Sequence, residues 1–430
     1  MRTTYQHTPQ NPQLFKHQLL QWAQQFDEVV WLDSNNYKQA YSNYDAVLAV
    51  DAFTSIKTDF TQAFAHLKEY QTNVNDWIFG YLTYDLKNAV EDLNSTNFDG
   101  LEFPDLYFFQ PKKLFFFKDD EVEIQYLNMV ANAWEEDLKA IKKSNNLTIQ
   151  KSNNPIKIKL RIHKDAYFEK INSMLAHIHR GDLYEANFCQ EFYAEDTKIN
   201  PLETYLKLNA ISNPPFATFL KCQDKYLLSA SPERYLKKEG NRIISQPIKG
   251  TAKRSINKKE DAQLKKELIA NDKERSENIM IVDLVRNDLS KTAIKGTVNV
   301  EELCKIYTFD QVHHMISTIT SEILPEINPV AVIQSTFPMG SMTGAPKISA
   351  MKIIEALEET KRGLYSGAVG YITPTGDFDF NVVIRTILYN ETNRYVSYSV
   401  GSAITAKSDP IKEYEECLVK AKAMRQVLED

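Results

Sequence analysis

Lys249 occupies the position with the clearest chemical potential in this chain of 430 residues. It lies in Gln246-Pro247-Ile248-Lys249-Gly250-Thr251, at the end of a predicted strand and directly before a glycine-bearing turn. A lysine stripped of water can lose its proton and serve as a nucleophile or base. Ser231-Pro232-Glu233-Arg234 precedes it, and the segment between reads as a hairpin turning at Glu239-Gly240-Asn241. Counting back across that turn sets Glu233 opposite Pro247 to Lys249, and cross-strand neighbours have Cβ atoms about 4.5–5.5 Å apart. A carboxyl and an amine are thus expected to meet at one end of a sheet. That suits acid–base work, and it equally suits a surface salt bridge.

Two acidic pairs come next. Asp272 reads as a helix N-cap, so Glu274 and Glu277 fall in the first turns of the following helix, on one face. At the C-terminus Asp409 caps, Pro410 fits the first turn, and Glu413 and Glu416 share a face. The apolar stripe of that helix reads Tyr414, Cys417, Leu418, Ala421 and Leu428. If the pairs converge they repel unless a cation stands between them. Magnesium takes oxygen ligands and often binds only one or two carboxylates directly. Taken singly, each pair is also what a solvated helix face looks like.

Gly340-Ser341-Met342-Thr343-Gly344-Ala345-Pro346-Lys347 leads into a predicted helix, where backbone N–H groups suit an anion. The spacing departs from G-x-x-x-x-G-K-[ST], so a carboxylate ligand fits as well as a phosphate. Asn381-Val382-Val383-Ile384-Arg385-Thr386 reads as one strand, with Arg385 on the face of Asn381 and Val383. There it could capture a carboxylate by two parallel hydrogen bonds or sit at an exposed edge. His313 and His314 stand apart from other metal-type residues and predict hydrogen bonding.

These residues need a scaffold. Ala217–Cys222 and Tyr226–Ser229 flank Gln223-Asp224 as another hairpin, and helices are predicted at 259–270, 273–287, 346–358 and 410–428. Upstream run aromatic strands such as Leu106–Phe109 and Lys113–Phe117. Polar stretches around a strand-like Leu147-Thr148-Ile149 set a soft boundary near residue 155, giving an N-terminal region 1–155 and a catalytic region 156–430. Antiparallel hairpins mixed with helices predict an α+β layered architecture.

Composition narrows the classes. A hydrophobic content of 43%, a net charge of -6 and a pI near 5.9 allow a large core and give no electrostatic support for nucleic-acid binding. No stretch reaches the roughly 18 uncharged apolar residues of a membrane span, and the N-terminus lacks the apolar stretch of a signal peptide. Four scattered cysteines suit reduced thiols. A soluble, cytoplasmic protein is expected.

Taken together, residues 160–428 resemble the chorismate-utilising enzymes, a family that includes anthranilate, aminodeoxychorismate and isochorismate synthases. The likeness rests on Gly181 to Asn187, Ser231 to Arg234, Pro247 to Thr251, Lys273 to Asn278, Asp283 to Leu289, Gly340 to Lys347, Ile384-Arg385-Thr386 and Glu413 to Glu416. Gly80 to Leu86 also looks like a stretch of the N-terminal part of aminodeoxychorismate synthases. The resemblance implies an anthranilate-synthase-like β/α/α/β sandwich, with helices packed between antiparallel sheets and the first 155 residues adding strands.

It also implies chemistry. Lysine third in Pro-Ile-Lys-Gly-Thr points to the branch that aminates chorismate at C4, where anthranilate synthases usually carry a small residue. Isochorismate synthases place a general-base lysine where this chain has Glu185, itself in place of the more usual glutamine. By resemblance, Lys249 adds to the ring at C2 and Glu233 protonates the leaving hydroxyl. Glu277 and Glu416 bind magnesium directly, with Glu274 and Glu413 acting through water. Arg385, Tyr371, Lys420 and backbone near Gly401 hold the enolpyruvyl carboxylate, and His314 and Thr343 complete the pocket. Lys249 is expected to have its pKa lowered by desolvation and magnesium. Gly401-Ser402-Ala403 departs from the family's triple glycine. With no cysteine in a G-x-C-x-G setting, ammonia is expected from a separate glutamine amidotransferase subunit, and the p-aminobenzoate-releasing lyase from another protein.

Overall fold

A computed structural model describes residues 1–38, 40–144 and 156–429. Residues 145–155, which hold the strand-like 147–149 segment and the soft boundary, lie outside the described residues. The architecture is α+β and antiparallel. One sheet runs through Arg2–His7, Glu121–Leu127, Leu106–Lys118, Ala46–Thr58, Glu28–Asp33, Phe216–Cys222, Lys225–Ser231, Thr386–Asn390, Tyr395–Thr405 and Glu185–Ala194. A second leaves the other end of Leu106–Lys118 and runs through Ile78–Leu82, Ala368–Ile372, Phe378–Val382, Arg234–Glu239 and Arg242–Gln246. It ends at Val312–Glu322, which also pairs with Ile248–Lys253 and Asn299–Thr308.

The layer order differs from the expected one. The two sheets face each other, and the helices lie outside. Val30, Ala49, Leu220, Leu227 and Leu388 from the first sheet pack against Phe79, Tyr81, Val369 and Tyr371 from the second in one shared core. The opposite face of the first sheet carries the helices Pro12–Ala23, Lys164–Arg180, Pro201–Ser212 and Pro410–Glu429. The outer face of the second carries Ala63–Val74, Asp272–Ser290 and Pro329–Thr336. The physical reason is two-sided burial. Ile78–Leu82 is buried at every position, and so are the first five residues of Ala46–Thr58. Such strands need an apolar layer on both faces.

The chain crosses from sheet to sheet at two neighbouring places, Ser231-Pro232-Glu233 and Val383-Ile384-Arg385. The second crossing is where one strand was expected. It is two strands, Phe378–Val382 and Thr386–Asn390, broken at Arg385, which adopts a positive φ of 53°. The predicted helices form, as Lys258–Ala270, Asp272–Ser290, Lys347–Leu357 and Pro410–Glu429. On the last of these the buried stripe is Cys417, Ala421, Met424, Val427 and Leu428, while Leu418 faces outward and leaves the expected set. All four cysteines are buried and free.

Candidate active site

Beside both crossings lies a cavity of about 650 Å³. Lys249, Glu233, Glu274, Glu277, Glu413, Glu416, His314, Arg385, Gly401 and Lys420 all line it. Ten of the twelve predicted site residues are therefore brought to one space from seven separate stretches of sequence.

Lys249 sits in the strand Ile248–Lys253, and its Nζ lies 3.2 Å from Glu185 Oε1. Burial alone would lower the amine's pKa, but Glu185, Glu277 and Glu233 outweigh it and hold the amine above its ordinary value of 10.5. The expected depression is thus reversed in the free protein: the resting side chain is an ammonium ion. Glu185 is 1% exposed, and its Oε2 has no partner among the described residues. Glu185→Gln removes the main attractive charge, so the Lys249 pKa falls, by about one unit or more for an opposite charge at this distance. The alkaline limb of the pH–rate profile should move down by that amount. An unchanged limb would show that Glu185 does not set the proton affinity of Lys249.

Glu233 is 3% exposed and stands one residue beyond the Arg234–Gln246 pair, at the open end of the hairpin. Burial raises its carboxyl from 4.5 to about 7, opposed by the Ser341 hydroxyl, the Lys249 charge and the Ile248 N–H. A carboxyl poised there can hold a proton near neutrality and release it to a leaving group.

The carboxylates enter from two helices. Asn271, not Asp272, caps the first, accepting from the Glu274 N–H at 3.2 Å. Asp409 Oδ1 caps the second, accepting from Ile411 and Lys412. Lys273 bridges the helices, 3.7 Å from Glu277 and 3.6 Å from Glu413. Burial lifts Glu277 to about 7 and also raises Glu274, whereas Lys420, 2.6 Å from Glu416, helps hold that carboxyl low. Across the cavity, Arg385 makes no side-chain hydrogen bond to any described residue. Lys420 donates to the Gly401 carbonyl at 2.8 Å. His314 is driven to about 3 by burial and by Arg385, so it is a neutral ring hydrogen-bonded to Thr251 Oγ1 at 2.9 Å. A Cβ on Gly401 would meet Cys189 Sγ at 2.5 Å.

Residues 27–426 match the family model of chorismate binding enzymes. The chain belongs to that family. An anthranilate synthase component I-like protein of Synechocystis is 36% identical over 361 residues, spanning 82% of this chain and 72% of that one. An aminodeoxychorismate synthase of Streptomyces griseus is 42% identical over 274 residues, 63% of this chain and 37% of that protein. In fold the chain is similar to anthranilate synthase component I from Streptococcus pneumoniae, with a TM-score of 0.77, 24% identity, and coverage of 90% and 93% of the two chains.

For a chorismate-binding enzyme, two expected pocket residues are misplaced. Thr343 is buried with its hydroxyl donating to the Met339 and Gly340 carbonyls, and Ser341 and Met342 reach the cavity instead. Tyr371 is packed in the inter-sheet core against Trp77 and Phe79, and Tyr365 lines the cavity in its stead. The predicted anion loop is not open to solvent at its lysine either, since Lys347 donates to Asp288 at 2.7 Å. Lys273, Ser341 and Tyr365 were not anticipated. Only Lys273 carried a signal: four residues before Glu277, it falls on the same helix face as that carboxylate.

The four glutamates suit a hard divalent cation chemically, being all oxygen donors. Glu277 Oε1 is buried with no hydrogen-bond partner among the described residues, only the Lys273 ammonium at 3.7 Å, and is the kind of atom a cation would satisfy. Among the described residues no three acidic, His or Cys side chains converge on a single point, so an ion would gather the carboxylates and displace the Lys273 bridge.

Proposed function

We propose that this chain is an aminodeoxychorismate synthase component I, replacing the C4 hydroxyl of chorismate by an amine, in the cytoplasm, on the route to p-aminobenzoate and folate. The observation that carries the reading is a lysine amine and a carboxyl raised to about 7 lining the same cavity and coupled in charge. The likeness to the Streptomyces protein supports it.

Arg385 and Lys420 offer positive charge to one substrate carboxylate, and the glutamate helices face the other. Glu277, Glu416, Glu274 and Glu413 would hold magnesium, which supplies positive charge to grip the ring carboxylate. Lys249 gives up its proton and its nitrogen bonds to C2. Both conjugated ring double bonds shift, the C4–O bond breaks, and the Glu233 proton leaves with the hydroxyl as water. Ammonia then bonds to C4, both double bonds return, and the C2–N bond to Lys249 breaks. The extra proton on the new amine returns to the enzyme's acid–base pair. The ammonia would come from a glutamine amidotransferase subunit.

Incubating the protein with chorismate, magnesium and ammonium salt, with and without an aminodeoxychorismate lyase, tests this reading. Formation of p-aminobenzoate only when lyase is present is expected. Fluorescent anthranilate without lyase, isochorismate, or no turnover would each overturn it.

A further inference from the structure

Two strand irregularities sit at the same level on either side of the strand Val312–Glu322. On one side the register slips between Ile248 and Thr251, leaving Lys249 and Gly250 bulged, with Gly250 at a φ of 94°. On the other it slips between Glu302 and Lys305, with Cys304 at a φ of 52°. A bulge leaves backbone groups without their ladder partners, and buried backbone groups need partners. Here one side chain from outside the sheet supplies them.

Asn278, 1% exposed, directly follows Glu277 on the helix Asp272–Ser290. Its Nδ2 donates to the Lys249 carbonyl at 3.3 Å and to the Met315 carbonyl at 3.2 Å. Its Oδ1 accepts from the Ser317 hydroxyl and from Cys304 Sγ at 3.6 Å. The Cys304 N–H in turn donates to Ser317 Oγ at 2.9 Å. Both donors and the acceptor of the amide are therefore used. Turning the amide over would set its oxygen against two carbonyls, so its orientation is fixed.

We propose that Asn278 is a positioning residue that fixes the bulge carrying Lys249 relative to the glutamate helix, with Ser317 and Cys304 holding Asn278 in turn. The inference rests on the reading of Lys249 as the nucleophile. Asn278 ties the backbone of that lysine to the helix that already holds Glu277, so it aims the amine against carboxylates fixed by their own helix. Loss of the amide would leave substrate and metal binding largely intact while loosening the amine. A reacting atom displaced by about 1 Å can cost roughly 100-fold in rate.

The test compares wild type, Asn278→Ala and Ser317→Ala by mass spectrometry of the protein with chorismate and magnesium but no ammonia, alongside steady-state kinetics with ammonium salt. For Asn278→Ala we expect the rate of mass gain and kcat to fall together by roughly 100-fold, with KM for chorismate and the magnesium requirement within threefold of wild type. Ser317→Ala, which keeps the Asn278 donors, should show a smaller loss of the same kind, and it serves if Asn278→Ala does not fold. An unchanged rate of mass gain in the folded variants overturns the proposal alone. So does a joint worsening of KM, magnesium requirement and melting midpoint, which would mark a purely structural role. A wild-type protein that turns over without gaining substrate mass would instead sink the covalent reading itself, and this proposal with it.

Discussion

Lys249→Ala is expected to abolish amination at C4, lowering turnover by roughly 1,000-fold or more, the scale on which a positioned nucleophile contributes. Without ammonia, wild-type protein should gain the mass of the substrate less water, and the variant should gain nothing. Binding should largely survive, because Arg385, Lys420 and the four glutamates line the cavity independently of the lysine. One complication is structural. Removing the ammonium leaves Glu185, 2% exposed in its side chain, without its ion-pair partner. An unpaired buried charge can cost about 3–5 kcal/mol, so the double variant Lys249→Ala/Glu185→Gln should recover stability without recovering activity. Turnover at the wild-type rate in either variant would rule out the covalent role.

Glu233→Gln is the second large effect, roughly 100- to 10,000-fold on turnover, as for loss of a general acid. Its pH signature is more telling than its size. On the proposed mechanism the reactive state needs a protonated Glu233 and a neutral Lys249. Glu233 sits at about 7, and Lys249 lies above its ordinary 10.5. Between those values the resting pair is carboxylate and ammonium, which has the same number of protons as the reactive pair. The reactive fraction is therefore constant across that window. Below about pH 7 the resting pair gains a proton and the rate falls tenfold per unit; above the lysine pKa the pair loses one and the rate falls again. In Glu233→Gln only the neutral amine matters, so the plateau should become a tenfold-per-unit rise with pH. If Glu277 holds magnesium as proposed, saturating magnesium salt would keep that carboxyl, also near 7, out of the acid limb. A retained plateau in the variant would assign the acid to another group.

The sequence carried the parts of this site that depend on local geometry. The hairpin turning at Gly240 is short, so counting across it was enough to bring Glu233 beside the lysine strand. The glutamates followed from helix starts, although the first cap is Asn271, one residue earlier than expected. What failed depends on distant partners. The proton affinity of Lys249 is set first among its neighbours by Glu185, 64 residues away in sequence, a partner that the residues flanking the lysine do not announce. Arg385 breaks an apolar run that contains no glycine or proline, and its left-handed backbone follows from the strands changing sheets. Thr343 and Tyr371 were placed by resemblance, and the backbone around each points its side chain elsewhere. The layer order was within reach: unbroken apolar strands such as Ile78–Leu82 announce cover on both faces.

The face-to-face packing of the sheets has a consequence for how this chain could be cut or recombined. Glu28–Asp33 pairs with Phe216–Cys222, and Ile78–Leu82 pairs with Ala368–Ile372. Each sheet is thus interleaved from early and late chain. Excising the first 144 residues would bare two strand edges and one wall of an aromatic core at once, inviting edge-to-edge association. The early segment is consequently no detachable cassette. Grafting it from a relative would require matching side chains across two seams, so exchanges in this part of the chain should be tolerated best in its outward-facing loops and helices.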